Sequence, residues 1–126
     1  MGADFAGIVV EVGERVKDFK AGDYVFGETL HGGAFAEYIS INANECALMP
    51  KGASFQAMAG VPIAGLTALQ ALITHGNLKK GETVLVNGAA GGVGHFIVQI
   101  AKAYSATVTA VCSSQSADFV RMLGAD

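Results

Sequence analysis

Apolar positions are arranged in two styles along this chain, and the change comes near residue 50. In the first style the apolar runs are short, rich in Val and Ile, and separated by glycines. Gly7-Ile8-Val9-Val10-Glu11-Val12-Gly13 predicts a strand that ends in a turn. Tyr24-Val25-Phe26 predicts a second, entered from the turn residues Ala21-Gly22-Asp23. Residues 34–41, Ala-Phe-Ala-Glu-Tyr-Ile-Ser-Ile, predict a third, opened by Gly32-Gly33, and a short strand is expected around Cys46-Ala47-Leu48. Strands this short, with glycine at the turns, suit a small barrel or sandwich.

Past Lys51-Gly52 the spacing becomes helical and then alternates. Ser54 is placed to cap a short helix, because its hydroxyl can accept from an otherwise unpaired N–H; Pro62 interrupts that helix. Residues 65–75 predict a helix with Leu66, Leu69, Leu72 and Ile73 on one face, His75 in its last turn, and Gly76 as a left-handed residue after it. Thr83-Val84-Leu85-Val86-Asn87 predicts a buried strand. A helix then runs to about Tyr104 with a buried stripe of Val93, Phe96, Ile97, Ile100 and Ala101. Residues 107–112 predict another strand and 116–123 another helix. Strand, helix, strand, helix in this order is a βαβ unit with a parallel sheet.

Composition supports a folded α/β chain. Of 126 residues, 52% are hydrophobic and 15% charged, which is core-forming rather than disordered. A net charge of −3 with no Lys/Arg cluster excludes nucleic acid as the expected partner. No apolar run reaches the ~20 residues of a membrane span. The two cysteines, Cys46 and Cys112, lie far apart, neither with a Cys or His at metal-ligand spacing, so both read as buried thiols in a reducing compartment, with a disulfide or a reactive thiol as the alternative.

The chemistry lies between the first buried strand and its helix, in Gly88-Ala89-Ala90-Gly91-Gly92-Val93-Gly94. A helix N-terminus offers unpaired N–H groups and a partial positive charge, so a diphosphate can sit there if no side chain intervenes. Gly91 would let the backbone approach the phosphates, and Gly94 would let the helix pack close to the strands. Ala89 stands where the usual dinucleotide fingerprint has its first glycine. His95 and Gln99 are expected on the helix's solvated face. After the next strand comes Cys112-Ser113-Ser114-Gln115-Ser116, with no acid before Asp118. An acid there would bond the ribose 2′-hydroxyl of NAD and repel a 2′-phosphate, whereas small hydroxyl residues leave room for it, which favours NADP(H) over NAD(H). A plain polar turn is the alternative reading of Ser113 and Ser114.

These residues, in order, resemble the medium-chain dehydrogenase/reductase superfamily, most closely its zinc-free quinone oxidoreductase branch. The resemblance covers essentially the whole chain: Gly2-Ala3-Asp4-Phe5-Ala6-Gly7-Ile8-Val9; Val16, Phe19, Gly22-Asp23 and Val25; Gly32-Gly33-Ala34-Phe35-Ala36-Glu37-Tyr38; Gly65-Leu66-Thr67-Ala68; and the alanine-type glycine loop. It implies an incomplete GroES-like β-barrel (residues 1–53, substrate domain) followed by an incomplete Rossmann doubly wound sheet (residues 54–126, with its connecting helices). It implies cofactor contacts at Thr67, Ala90, Gly91, Gly92, Val93, Gly94, Ser113, Ser114 and Gln115. Gln115 stands where NADPH-using relatives often carry a basic residue. Zinc-dependent relatives carry Gly-His-Glu where this chain has Gly2-Ala3-Asp4, so no zinc is expected, and Asp4 is expected to cap or pair within the barrel. Both ends read as cut, with more barrel before Met1 and more cofactor sheet after Asp126.

The expected activity of the full-length protein is hydride transfer from NADPH to a quinone or an α,β-unsaturated carbonyl, with a homo-oligomer and a cytoplasmic location expected and an organelle left open. No catalytic residue or proton donor is identified. The rival readings are a non-catalytic nucleotide-binding protein, a zinc alcohol dehydrogenase, and a fragment inactive on its own.

Overall fold

The computed structural model describes residues 1–29 and 31–126, which form two compact units, 1–63 and 64–126.

The first unit is built on a three-stranded antiparallel sheet in the order β1 (Asp4–Ile8), β2 (Tyr24–Glu28), β3 (Cys46–Leu48). Asp4 pairs with Glu28 and Ile8 with Tyr24. One further step of the ladder follows, in which Val9 donates to the Asp23 carbonyl and Gly22 to the Val9 carbonyl. The turn behind it is closed by Gly22 in a left-handed conformation and by Asp23, whose carboxylate accepts from the Lys20 N–H and ammonium. At Gly27 the chain entering β3 crosses so closely that a Cβ would run into the Glu45 carbonyl and the Phe5 ring. The sheet is open rather than a closed barrel.

Two strand expectations are corrected here. The first strand is Asp4–Ile8, not residues 7–13, because beyond Val9 no partner runs alongside among the described residues. Residues 34–41 form no strand. Gly33 and Ala34 donate to the Met1 and Gly2 carbonyls, and pairing stops there among the described residues, leaving Phe35 and Tyr38 exposed. Alternation makes a segment able to be a strand, but only a neighbouring backbone makes it one.

Ser54 caps the short helix α1 (Phe55–Met58), its Oγ accepting from the Ala57 N–H at 3.2 Å, as its position predicts. The Phe55 ring stacks on Tyr24. Pro62 then opens a new helix, α2 (Pro62–Leu69), where its missing N–H costs nothing.

The second unit takes over from within α2, which passes into a π-helical turn at Gln70–His75. The predicted apolar face is corrected. Gly65, Ala68 and Leu72 are buried, while Leu66 and Leu69 are exposed, so the face that packs closely is the one with small side chains. Gly76 is not left-handed either; that role falls to Asn77. Gly76 is needed for space, since a Cβ there would lie 2.6 Å from the Ala71 carbonyl oxygen.

β4 (Thr83–Asn87), α3 (Gly94–Ala103), β5 (Thr107–Val111), a 3₁₀ turn (Ser114–Ser116) and α4 (Ala117–Met122) complete the unit. β4 and β5 are parallel, from Thr83 opposite Thr107 to Asn87 opposite Val111. Alternation turns Val84, Val86, Val108 and Ala110 towards α3 and leaves Leu85 exposed on the other face. The stripe of α3 is also rotated from the predicted one: Gly94, Val98 and Ala101 are its buried residues, with Ile97 and Ile100 packed at the margin. Val98, Val108 and Val120 are the largest fully buried side chains, each worth about 1.5–3 kcal/mol of burial. Both cysteines are free and half-buried, less enclosed than expected. Burial, then the neighbouring Glu45 carboxylate, pushes the Cys46 thiol above its ordinary range.

Candidate dinucleotide-binding site

The loop of residues 88–94 leaves the carboxyl end of β4 and enters α3, and its shape follows from a few close contacts. Gly88 takes φ +75°, a conformation a Cβ would strain. Its N–H and that of Ala89 both point to the Val111 carbonyl at 3.0 Å, tying the loop's start to the end of β5. Ala89 is fully buried. Gly91 donates to the Gly88 carbonyl at 2.9 Å, closing a tight turn. At Gly94 a Cβ would collide with the Gly88 carbonyl and come within 2.8 Å of the Ala89 Cα, so only glycine lets α3 start this close to β4.

The N–H groups of Ala90, Gly92 and Val93 have no protein partner among the described residues, and Gly91 and Gly92 are exposed. No side chain of the loop projects into the space before these N–H groups from Gly91 or Gly92. A glycine-lined rim with unpaired donors at the head of a ten-residue helix suits an anionic diphosphate.

Ser113, Ser114 and Gln115 lie exposed just beyond β5, at the same carboxyl end of the sheet as the glycine loop, because β4 and β5 are parallel and in register. Ser113 and Ser116 share a hydroxyl–hydroxyl bond of 3.1 Å, and Ser116 donates to the Ser113 carbonyl, so this segment is also a folded polar turn. The glycine loop and this serine turn are thus brought together. Thr67 is exposed on α2, and no hydrogen bond joins it to the loop among the described residues.

Two residues, Gly88 and His95, have a conformation or contact that sequence pattern alone did not assign. Gly88 carries the loop's left-handed turn, for which the Asn87-Gly88 pair was a readable signal. His95, expected to be solvated, is half-buried, and its Nδ1 lies 3.0 Å from the Gly91 carbonyl oxygen. Gln99 is exposed as expected. In the first unit, Asp4 Oδ1 accepts from the Ile63 N–H at 3.0 Å, the first N–H that α2 offers after Pro62. Asp4 therefore does cap, at a helix rather than within the sheet. Among the described residues no three His, Cys, Asp or Glu side chains converge as a metal site would require, and no helix is long and apolar enough to cross a membrane.

Residues 1–51 match the alcohol dehydrogenase GroES-like domain. Across 98% of its length the chain is 45% identical to the chloroplast envelope quinone oxidoreductase homolog of Arabidopsis thaliana, covering 40% of that protein. It is 41% identical, over 99% of its length, to the chloroplastic NADPH-dependent alkenal/one oxidoreductase of the same plant, covering 35% of it. The crystal structure of Escherichia coli quinone oxidoreductase complexed with NADPH matches 99% of the chain at 36% identity and a TM-score of 0.90, with 39% of that structure covered. The chain thus spans 35–40% of the length of these relatives. Motifs, strand order and these likenesses agree: over the part it spans, the chain is similar to quinone oxidoreductases of the medium-chain dehydrogenase/reductase superfamily.

Proposed function

We propose that residues 88–94 hold the pyrophosphate of NADP(H), and that the full-length protein reduces a quinone or an α,β-unsaturated carbonyl without zinc. The observation that carries this reading is the loop itself: unpaired N–H groups at the head of α3, a glycine rim before them, and a close β4–α3 approach that only Gly94 permits. The cofactor, when bound, supplies the hydride, and the protein supplies position and charge. In this reading Ala90, Gly91, Gly92, Val93 and Gly94 form the pyrophosphate cradle. Ser113, Ser114 and Gln115 face the adenosine ribose, and with no acid among them they accept a 2′-phosphate. Thr67 borders the nicotinamide. Residues 1–53 belong to the substrate domain and 54–126 to the cofactor domain. Ala3, which cannot ligate a metal, supports a zinc-free reaction. The full-length protein is read as a homo-oligomer of the cytoplasm or of an organelle.

The test is made on full-length protein purified without added metal. NADPH oxidation is followed with a panel of quinones and enones, both nicotinamide cofactors are titrated, and zinc is measured by elemental analysis. Turnover, tighter binding of NADPH than NADH, and substoichiometric zinc are expected. Tight NADPH binding without turnover makes the protein a non-catalytic nucleotide binder, and stoichiometric zinc on which activity depends overturns the zinc-free reading.

A further inference from the structure

The His95 side chain is tied to the loop it follows. A carbonyl oxygen can only accept, so at 3.0 Å from the Gly91 oxygen the His95 Nδ1 must carry the proton. The same oxygen also accepts the His95 backbone N–H at 3.1 Å, and the Gly91 N–H is already engaged by the Gly88 carbonyl. The imidazole is held in place by the Phe96 ring, whose centroid lies 4.2 Å away. Gly91 has no side chain of its own to limit rotation of its peptide units. The 91–92 peptide is trans, so fixing the Gly91 carbonyl towards His95 turns the Gly92 N–H the opposite way. That N–H is among those left unpaired at the rim.

We infer that His95 is a positioning residue for dinucleotide binding: its Nδ1–H holds the Gly91 carbonyl and thereby sets the Gly92 N–H towards the pyrophosphate. This rests on the pyrophosphate reading of the loop and adds a residue to it. His95 does not touch the phosphates; it removes the conformational freedom that a glycine-rich loop would otherwise lose on binding. Gln99, one turn further along α3, shows that a Gln side chain can do the same work, since its Nε2 donates to the His95 carbonyl at 3.0 Å.

The inference is tested on the full-length protein by NADPH fluorescence titration of the unsubstituted form, His95→Ala and His95→Gln, each checked for folding by circular dichroism. His95→Ala weakens NADPH binding about three- to tenfold, the effect of one lost hydrogen bond, and His95→Gln restores it to within about twofold. Nitrogen-15 NMR of the imidazole shows the proton on Nδ1. If the unsubstituted protein does not bind NADPH, the pyrophosphate reading falls and takes this inference with it. If it binds NADPH and His95→Ala binds equally well, or His95→Gln is no better than His95→Ala, this inference alone falls. Should His95→Ala fail to fold, the NMR measurement decides: a proton on Nε2 only overturns the proposal.

Discussion

The two units of this chain are built from similar apolar content but close on themselves to different degrees. In residues 64–126 a βαβ unit gathers Leu72, Val86, Ala89, Val98, Ala101, Ala106, Val108 and Val120 into one buried cluster. In residues 1–63 Val25 and Met58 are the buried hydrophobic residues among those described, while Ile8, Val10, Tyr24, Phe35 and Tyr38 stay exposed. A parallel pair with its crossover helix is a local solution, since the helix that links the strands also covers them. An antiparallel barrel strand depends on backbone that can be distant in sequence. The glycine loop sits in the unit that closes locally, where a rigid scaffold can hold it.

The sharpest way to break this contrast is at Gly94. Gly94→Val forces a branched side chain into the Gly88 carbonyl and the Ala89 backbone and should cost about 3 kcal/mol or more of stability. A thermal melt within a degree or two of the unsubstituted protein would show that α3 does not approach β4 as described. A smaller effect sharpens the comparison. Val98→Ala, at a fully buried position, should destabilise by about 2 kcal/mol, and Val25→Ala by about half as much because its surroundings can collapse. Denaturant midpoints measure both, and equal losses would remove the distinction between the units.

The smallest expected effect is on pH dependence. Asp126 accepts the Val108 N–H at 2.7 Å and the Lys102 ammonium at 2.9 Å, extending the β5 edge. The Val108 N–H first, and then Lys102, hold its carboxyl below the ordinary value. A depressed carboxylate stabilises the fold above its unfolded pKa of about 3.9 and loses that contribution as pH falls towards its folded value. Asp126→Asn should therefore lower the denaturant midpoint slightly at pH 7 and by less at pH 3. A difference of equal size at both pH values would mean the charge is not what acts.

The sequence was most legible where structure is local. β4 lies where its apolar run predicts, and α3 begins at the final glycine of the loop. Ser54 caps as its position suggests. Reading failed where a distant partner decides the outcome. Residues 34–41 alternate well but beyond Ala34 find no pairing strand among the described residues, and β1 sits earlier than its apolar centre because β2 sets the register. On α2 and α3 the leucines and Phe96 suggested one face, but Gly65, Ala68, Gly94 and Ala101 mark the buried one, since small side chains allow the closest approach. Within the candidate site the glycine turn between β4 and α3 was readable, and Gly94 lies where the close approach was expected. The left-handed Gly88 was not assigned although Asn87-Gly88 signals such a turn, and the His95–Gly91 bond was not assigned because a side chain's reach to a carbonyl depends on the folded path.

The central claim is that the backbone of this loop meets the dinucleotide's pyrophosphate, and Gly91→Val tests it most directly. A Cβ at Gly91 would lie 3.2 Å from the Gly88 carbonyl, a contact that small shifts can relieve, so the variant should still fold. Its branched side chain would nevertheless stand at the exposed rim. NADPH titration of the folded, full-length variant should show affinity reduced by at least about tenfold, roughly 1.4 kcal/mol. If folded Gly91→Val binds NADPH as tightly as the unsubstituted protein, the pyrophosphate does not sit at this loop.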